Sequence, residues 1–298
     1  MPAKLLISGA AGHLGQLVLT HLLGSQEVSP GDLIAGTRDP QKLAAWASKG
    51  VAVRKLDFED ASTLAPALQG AERMLLISTD AVDRPGRRLG QHKAAIEAAR
   101  TARIRHVVYT SMPNPADTLV TFAPDHLGTE EALAASGLNF TILRMNWYMQ
   151  NLLSALPNAL ASGQWHVATG EGRVGYVARE DCASAAASAL TAADDKGARL
   201  DVTGPEAFSM SQIASIVREI TGRPIAVVQQ TDDEKRRALS PAGLPAPVIE
   251  LIVSIDASIR AGKLDVVSNT VQKLTGKPPK TLRDFLAENK AVLSPGLR

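Results

Sequence analysis

The sequence is short of the residues that would staple it, load it with metal or anchor it in a bilayer. A single cysteine, Cys182, stands among 298 residues, which excludes an internal disulfide. Its small neighbours Ala183, Ser184, Ala185 and Ala186 mark it as a buried thiol on a packed helix face. The six histidines (His13, His21, His92, His106, His126, His166) show no pair at metal-ligand spacing, and one cysteine cannot assist them, so no metal is expected. No Gly-x-Ser-x-Gly elbow of a hydrolase and no Gly-Lys-Ser/Thr ending of a phosphate-binding P-loop occur. The formal net charge is only +2, too little to draw the chain toward nucleic acid or an anionic membrane. No apolar run approaches the roughly 20 residues that span a bilayer. The apolar stretch after Lys4 is stopped by Gly9, too early for a secretory signal. These absences predict a soluble, cytoplasmic protein without nucleic-acid or membrane partners; self-association is left open.

The densest basic run, Lys235-Arg236-Arg237, directly follows Asp232-Asp233-Glu234. On a helix this order sets Asp232 beside Arg236 and Asp233 beside Arg237, the pattern of a solvated helix face.

With 45% hydrophobic residues, the chain can bury a full core in one large domain or two small ones. Leu5-Leu6-Ile7 reads as a buried strand, and Leu14, Leu17, Val18 and Leu22 recur at helical spacing after it. Further strands read at Leu33–Gly36, Val51–Leu56 (alternating, hence near an edge), Met74–Ile77, His106–Thr110 and Phe140–Leu143. Helices separate them at Lys42–Lys49, Arg87–Ala102 and Asp125–Ser136. Strand and helix alternating at this spacing, with continuously apolar strands, predict a doubly wound parallel α/β sheet of the Rossmann type. After Asn146 the rhythm breaks, and glycine and proline become frequent. Residues 1–150 therefore read as a dinucleotide-binding domain. Residues 151–298 read as a smaller α+β substrate lobe, with Ala198–Val202 returning to the main sheet and helices at 209–222, 247–262 and 281–289.

Gly9-Ala10-Ala11-Gly12-His13-Leu14-Gly15 joins the first strand to the first helix. In that context Gly9 permits the tight turn, Gly12 lets a pyrophosphate approach the backbone, and Gly15 lets helix and sheet pack closely. The first-turn N–H groups and the helix dipole favour the phosphate charge. The second strand runs into Gly36-Thr37-Arg38-Asp39. An acidic residue there binds the ribose hydroxyls of NAD, whereas Arg38, with Thr37 and Lys42 nearby, suits the extra phosphate of NADP(H). Asp39 argues the other way, but Pro40 after it makes helix capping the simpler role. Asp57-Phe58 is placed to flank the adenine, and Ser78-Thr79 and Thr110-Ser111-Met112 end strands on the side where ligands bind.

Together these residues resemble the NmrA-like atypical short-chain dehydrogenase/reductases over nearly the whole chain. The likeness extends through Glu130-Glu131-Ala132-Leu133 and Ser136-Gly137-Leu138-Asn139-Phe140-Thr141-Ile142-Leu143-Arg144 to Met145-Asn146-Trp147-Tyr148-Met149-Gln150-Asn151. The last stretch is similar to the one that lies beside the nicotinamide in NADPH-dependent quinone and triphenylmethane dye reductases. The resemblance implies an NADP(H)-dependent oxidoreductase acting on a small conjugated acceptor. Most short-chain dehydrogenases carry a catalytic Tyr-x-x-x-Lys where this sequence has Phe122 and His126, and phenylalanine cannot donate a proton. Two readings remain open. In one, a quinone or cationic dye accepts hydride with little help from an acid. In the other, the chain binds NADP(H) without turnover, as a redox sensor. An epimerase would need the missing tyrosine. His126 is a candidate contact of the nicotinamide end or a proton donor. Phe122, Trp147 and Tyr148 are candidates for the acceptor pocket, with Tyr148 the nearest phenol for catalysis.

Overall fold

The computed structural model describes residues 4–25, 27–193 and 196–293. Six strands, β1 (Leu5–Ile7), β2 (Leu33–Thr37), β3 (Ala52–Lys55), β4 (Arg73–Leu76), β5 (His106–Ser111) and β6 (Asn139–Met145), join a seventh, Lys196–Val202, in one sheet. Its order is β3-β2-β1-β4-β5-β6 and then Lys196–Val202, and all pairings among the first six are parallel. The order reverses between β1 and β4. In open α/β sheets ligands bind outside the carboxyl ends of the strands at such a switch point.

The periods expected from the sequence are met closely. Leu5, Leu6 and Ile7 are all buried because β1 is covered on both faces, whereas β3, at the sheet's edge, is only partly buried. Helices Arg87–Thr101 and Ala123–Ala135 fall within two residues of expectation. One expected helix is largely absent: Lys42–Lys49 resolves into a 3-10 turn, Pro40–Leu43, and a single α turn, Ala44–Ala47. Only Leu43 is buried in the two turns, so no apolar stripe supports a longer helix.

The chain divides into two compact units. The first holds the described residues through Met112, with Pro124–Arg144 and Cys182–Leu200; the second holds Pro113–Ala123, Met145–Asp181 and the described residues from Asp201. In the first, Leu6, Ile34, Met74, Leu76, Val107 and Ile142 pack with Leu64, Leu68, Ile96 and Leu133 of the covering helices. Each such side chain contributes about 1.5–3 kcal/mol by leaving water. A polar clamp ties the edge of this core. Buried Glu130 takes two hydrogen bonds from Arg144 (2.7 and 3.0 Å) and one from the Ser111 hydroxyl (2.7 Å).

The second unit is built differently. Gln164–Val167 pairs in parallel with Ala226–Gln229, and Arg173–Val174 pairs antiparallel with Phe208–Ser209. Helices Leu152–Ser162, Met210–Thr221, Ala246–Arg260 and Leu282–Glu288 enclose Leu156, Trp165, Tyr176, Val217 and Phe285. The acidic and basic run does lie on a helix, Asp232–Leu239, but its partners differ from the expected pairs. Asp232 bonds Arg260, Asp233 and Glu250 share Arg236, and Lys235 turns inward to Asp256. Lys235 and Asp256 are nearly buried, which strengthens their attraction, whereas the pairs made by Asp232, Asp233 and Arg236 remain partly exposed. Cys182 is buried. No helix among the described residues is long and apolar enough to cross a membrane.

Candidate active site

The glycine turn is shaped by steric exclusion. Gly9 sits at φ +60°, in the left-handed region that favours glycine, and the Gly12 N–H donates to its carbonyl at 2.9 Å. A Cβ on Gly15 would stand 2.5 Å from the Gly9 oxygen and 2.7 Å from Ala10 Cα, closer than any side chain allows. Gly12 is the N-cap of helix His13–Gly24 and offers no side chain to bond the first-turn N–H groups. Those donors are therefore left for a ligand.

Beside this turn lies a pocket of about 350 Å³, within the range of small-molecule sites. Its walls come from the carboxyl ends of β1 to β4 and the loops beyond them: Gly9, Ala11 and Gly12; Thr37, Arg38, Asp39 and Lys42; Leu56, Asp57 and Phe58; Ile77, Ser78, Thr79 and Asp80. Gln91, from helix Arg87–Thr101, closes it. A wider concavity of about 840 Å³ lies between helices Ala61–Leu68 and Arg87–Thr101, but alanine, leucine and proline dominate its lining, with Glu97 its one charged lining residue among the described residues.

Nine expected cofactor residues, Gly9, Ala11, Gly12, Thr37, Arg38, Asp57, Phe58, Ser78 and Thr79, meet in the one pocket. Arg38 is two-thirds exposed and reaches Asp80 at 3.4 Å. Asp39 is spent on capping: its Oδ1 accepts the Gln41 N–H at 3.1 Å, consistent with Pro40 at the first position of the turn. Asp57 Oδ1 accepts the Glu59 N–H at 3.0 Å. Sequence reasoning missed Leu56, Ile77, Asp80 and Gln91. The first three flank expected residues in sequence. Gln91 lies one turn before buried Ala95, at the margin of the helix's inner face.

His13, Leu14, Gly15, Thr110, Ser111, Met112 and His126 do not line this pocket. His13 starts the helix, and Leu14 and Gly15 are buried behind the turn. Thr110 stands one layer back, its Oγ1 accepting the Ser78 N–H at 2.9 Å, and the Ser111 hydroxyl is taken by Glu130. Met112 is buried.

His126 stands apart from this pocket. It is neither on the helix surface nor presented to the pocket: it is buried, Nε2 lies 3.0 Å from Arg88 Nη1, and Nδ1 lies 2.8 Å from the Tyr109 hydroxyl. Arginine can only donate, so Nε2 accepts and the ring proton sits on Nδ1. Burial, then the Arg88 charge and His92, hold its pKa well below the ordinary value, which makes it a poor carrier of a proton at neutral pH. Tyr109 is the other half of this buried pair, and burial pushes its phenol upward. His92 completes the cluster. Its Nε2 accepts the Thr79 N–H at 3.1 Å and its Nδ1 bonds Thr129 at 2.9 Å, so it holds up one wall of the pocket. Burial lowers its pKa to about 3.

The three expected acceptor residues belong to the second unit. Phe122 is half-buried on a segment whose Thr118, Leu119 and Thr121 bond Ser258 and Ser254 of helix Ala246–Arg260. Trp147 packs against the unit's core cluster. Tyr148 lies half-buried under the Arg179 guanidinium, 4.9 Å from its ring centre, with its hydroxyl donating to Met145 Sδ at 3.7 Å.

A parallel sheet with a glycine turn and a polar pocket at its switch point defines a dinucleotide-binding α/β protein. The comparisons agree. The NAD(P)H-binding family model matches residues 9–193. Quinone oxidoreductase 2 of Escherichia coli (strain K12) is 33% identical over 281 residues, 94% of this chain and 96% of that protein. The structure of an Escherichia coli NADPH-dependent quinone oxidoreductase complexed with NADPH superposes with a TM-score of 0.90 at 33% identity, covering 95% and 99% of the two chains. The Citrobacter sp. triphenylmethane reductase complexed with NADP(H) gives a TM-score of 0.89 at 28% identity, with 95% and 99% covered. The chain belongs to the NAD(P)H-binding, NmrA-like family, near its quinone and triphenylmethane reductases.

Proposed function

We propose that this protein is an NADPH-dependent reductase that delivers hydride to a flat, conjugated acceptor such as a quinone or a cationic dye. The observation that carries the reading is the pocket at the switch point, with Arg38 and Lys42 beyond the end of β2 and the turn Gly9-Ala10-Ala11-Gly12, with no side chain larger than a methyl, beside it. Relatives named quinone oxidoreductase and triphenylmethane reductase support the choice of acceptor.

The residues fit the cofactor. The turn would hold the pyrophosphate, Arg38 and Lys42 the 2′-phosphate, and Phe58 a face of the adenine. Thr79 Oγ1, a buried oxygen at the pocket without a hydrogen-bond partner among the described residues, is available to the ribose side. When bound, the reduced nicotinamide supplies the hydride. The protein's task is then to bind, orient and exclude water. Phe122, Trp147 and Tyr148 are assigned to the acceptor. Hydride addition to a quinone or cationic dye yields a stabilised phenolate or a neutral product, so no buried acid is required, and His126 is left a structural role. NADPH oxidation followed at 340 nm against quinones, cationic dyes, imines and ketones tests the proposal. Turnover of quinones or dyes with preference for NADPH is expected; tight cofactor binding with no turnover of any acceptor overturns it in favour of a sensor.

A further inference from the structure

A helix residue at the pocket carries an acceptor that no described residue uses. Gln91 lines the pocket, and its Oε1 is buried without a hydrogen-bond partner among the described residues. Its orientation is set from behind. Nε2 donates to Glu59 Oε1 at 2.9 Å, and Arg87 grips both oxygens of that carboxylate at 2.6 and 2.9 Å. Arg87, then Gln91, hold the Glu59 carboxyl at a pKa of about 2, so at neutral pH it accepts and never donates. A carboxylate acceptor can face only the amide NH₂, which leaves the amide oxygen as the other end. Phe58, adjacent to Glu59 in the chain, also lines the pocket, so the aromatic side chain and the anchor of the directed acceptor share one short segment.

We infer that Gln91 Oε1 reads the exocyclic amino group of the adenine, making the Arg87-Glu59-Gln91 chain a base-specificity device. This rests on the cofactor reading above. Adenine presents an N–H donor at its six position, whereas hypoxanthine presents a carbonyl oxygen. An acceptor presented to that edge would reward the first and repel the second. Because the amide cannot turn without losing Glu59, the site cannot adapt to the carbonyl.

The test is direct binding of NADPH and of its reduced hypoxanthine analogue, measured by quenching of protein fluorescence. The unmodified chain should bind NADPH about tenfold more tightly, the ratio that one hydrogen bond of this kind commands. Gln91→Met, similar in length but with only a weak sulfur acceptor, should bring the ratio close to one by weakening NADPH alone. Glu59→Gln, at an exposed position, should reduce it partway, because the amide can then turn. A ratio unchanged in folded Gln91→Met overturns the inference while leaving the cofactor reading intact. Failure of the unmodified chain to bind either nucleotide overturns both. If Gln91→Met does not fold, an undiminished ratio in Glu59→Gln overturns the inference by itself.

Discussion

Replacing Arg38 with alanine separates the two nicotinamide cofactors. The guanidinium is two-thirds exposed and reaches Asp80 at 3.4 Å, an exposed pair that contributes at most about 1 kcal/mol. Removing it therefore costs the empty protein little. A hydrogen bond to a charged group contributes about 1.5–3 kcal/mol, and exposure places a 2′-phosphate contact near the lower end. Lys42 remains in the pocket, so some attraction survives. The expected outcome is a Michaelis constant for NADPH raised about 10- to 30-fold, with that for NADH changed less than about twofold. Asp80 sharpens the test, because its carboxylate competes with the phosphate for the same guanidinium. Asp80→Asn should tighten NADPH about 2- to 5-fold, and this gain should vanish in the Arg38→Ala background. Initial rates with both cofactors across the four proteins give the full cycle. Equal effects of Arg38→Ala on NADPH and NADH would refute the phosphate assignment.

Gly15→Ala should weaken binding of both cofactors in a titration, because its Cβ would overlap the Gly9 carbonyl and push the turn out of shape. His126→Ala should lower denaturant stability by about 2–4 kcal/mol through the cavity and the uncovered Arg88 and Tyr109, with kcat per folded molecule changed only modestly. A kcat loss of many thousandfold would restore His126 as an acid. Glu130→Leu removes the carboxylate that Arg144 and the Ser111 hydroxyl bond and should cost about 2–3 kcal/mol in urea melts, a buried pair discounted for the partial exposure of Arg144. The lowered pKa of His92 predicts pH dependence. The folded state keeps the ring neutral down to about pH 3, whereas the unfolded chain takes up a proton near 6.5, so this contribution is complete above 6.5 and lost as pH falls toward 3. His92→Gln should flatten the fall in unfolding midpoint between pH 6.5 and 5; an unchanged slope contradicts the buried neutral ring.

The sequence by itself determined the sheet and the turn. Three consecutive buried residues in Leu5–Ile7, alternation at the edge strand, and glycines at 9, 12 and 15 are local patterns. They arise from period, burial on both faces and the space a Cβ needs, and none depends on a distant neighbour. Arg38 and Asp57-Phe58 were legible for the same reason, since a strand's carboxyl end delivers the next few residues to the ligand side. The roles of side chains on helices were decided only by packing. His126 and Gln91 each sit near a helix's buried margin, and a modest rotation of the helix decides whether such a side chain meets core, pocket or solvent. Tertiary contacts set that rotation: Arg88 and Tyr109 draw His126 inward, and Glu59 holds Gln91 at the pocket. Tertiary packing likewise gave Asp232 the partner Arg260, across partly exposed surface, and brought Lys235 against nearly buried Asp256, where shelter from water strengthens the attraction.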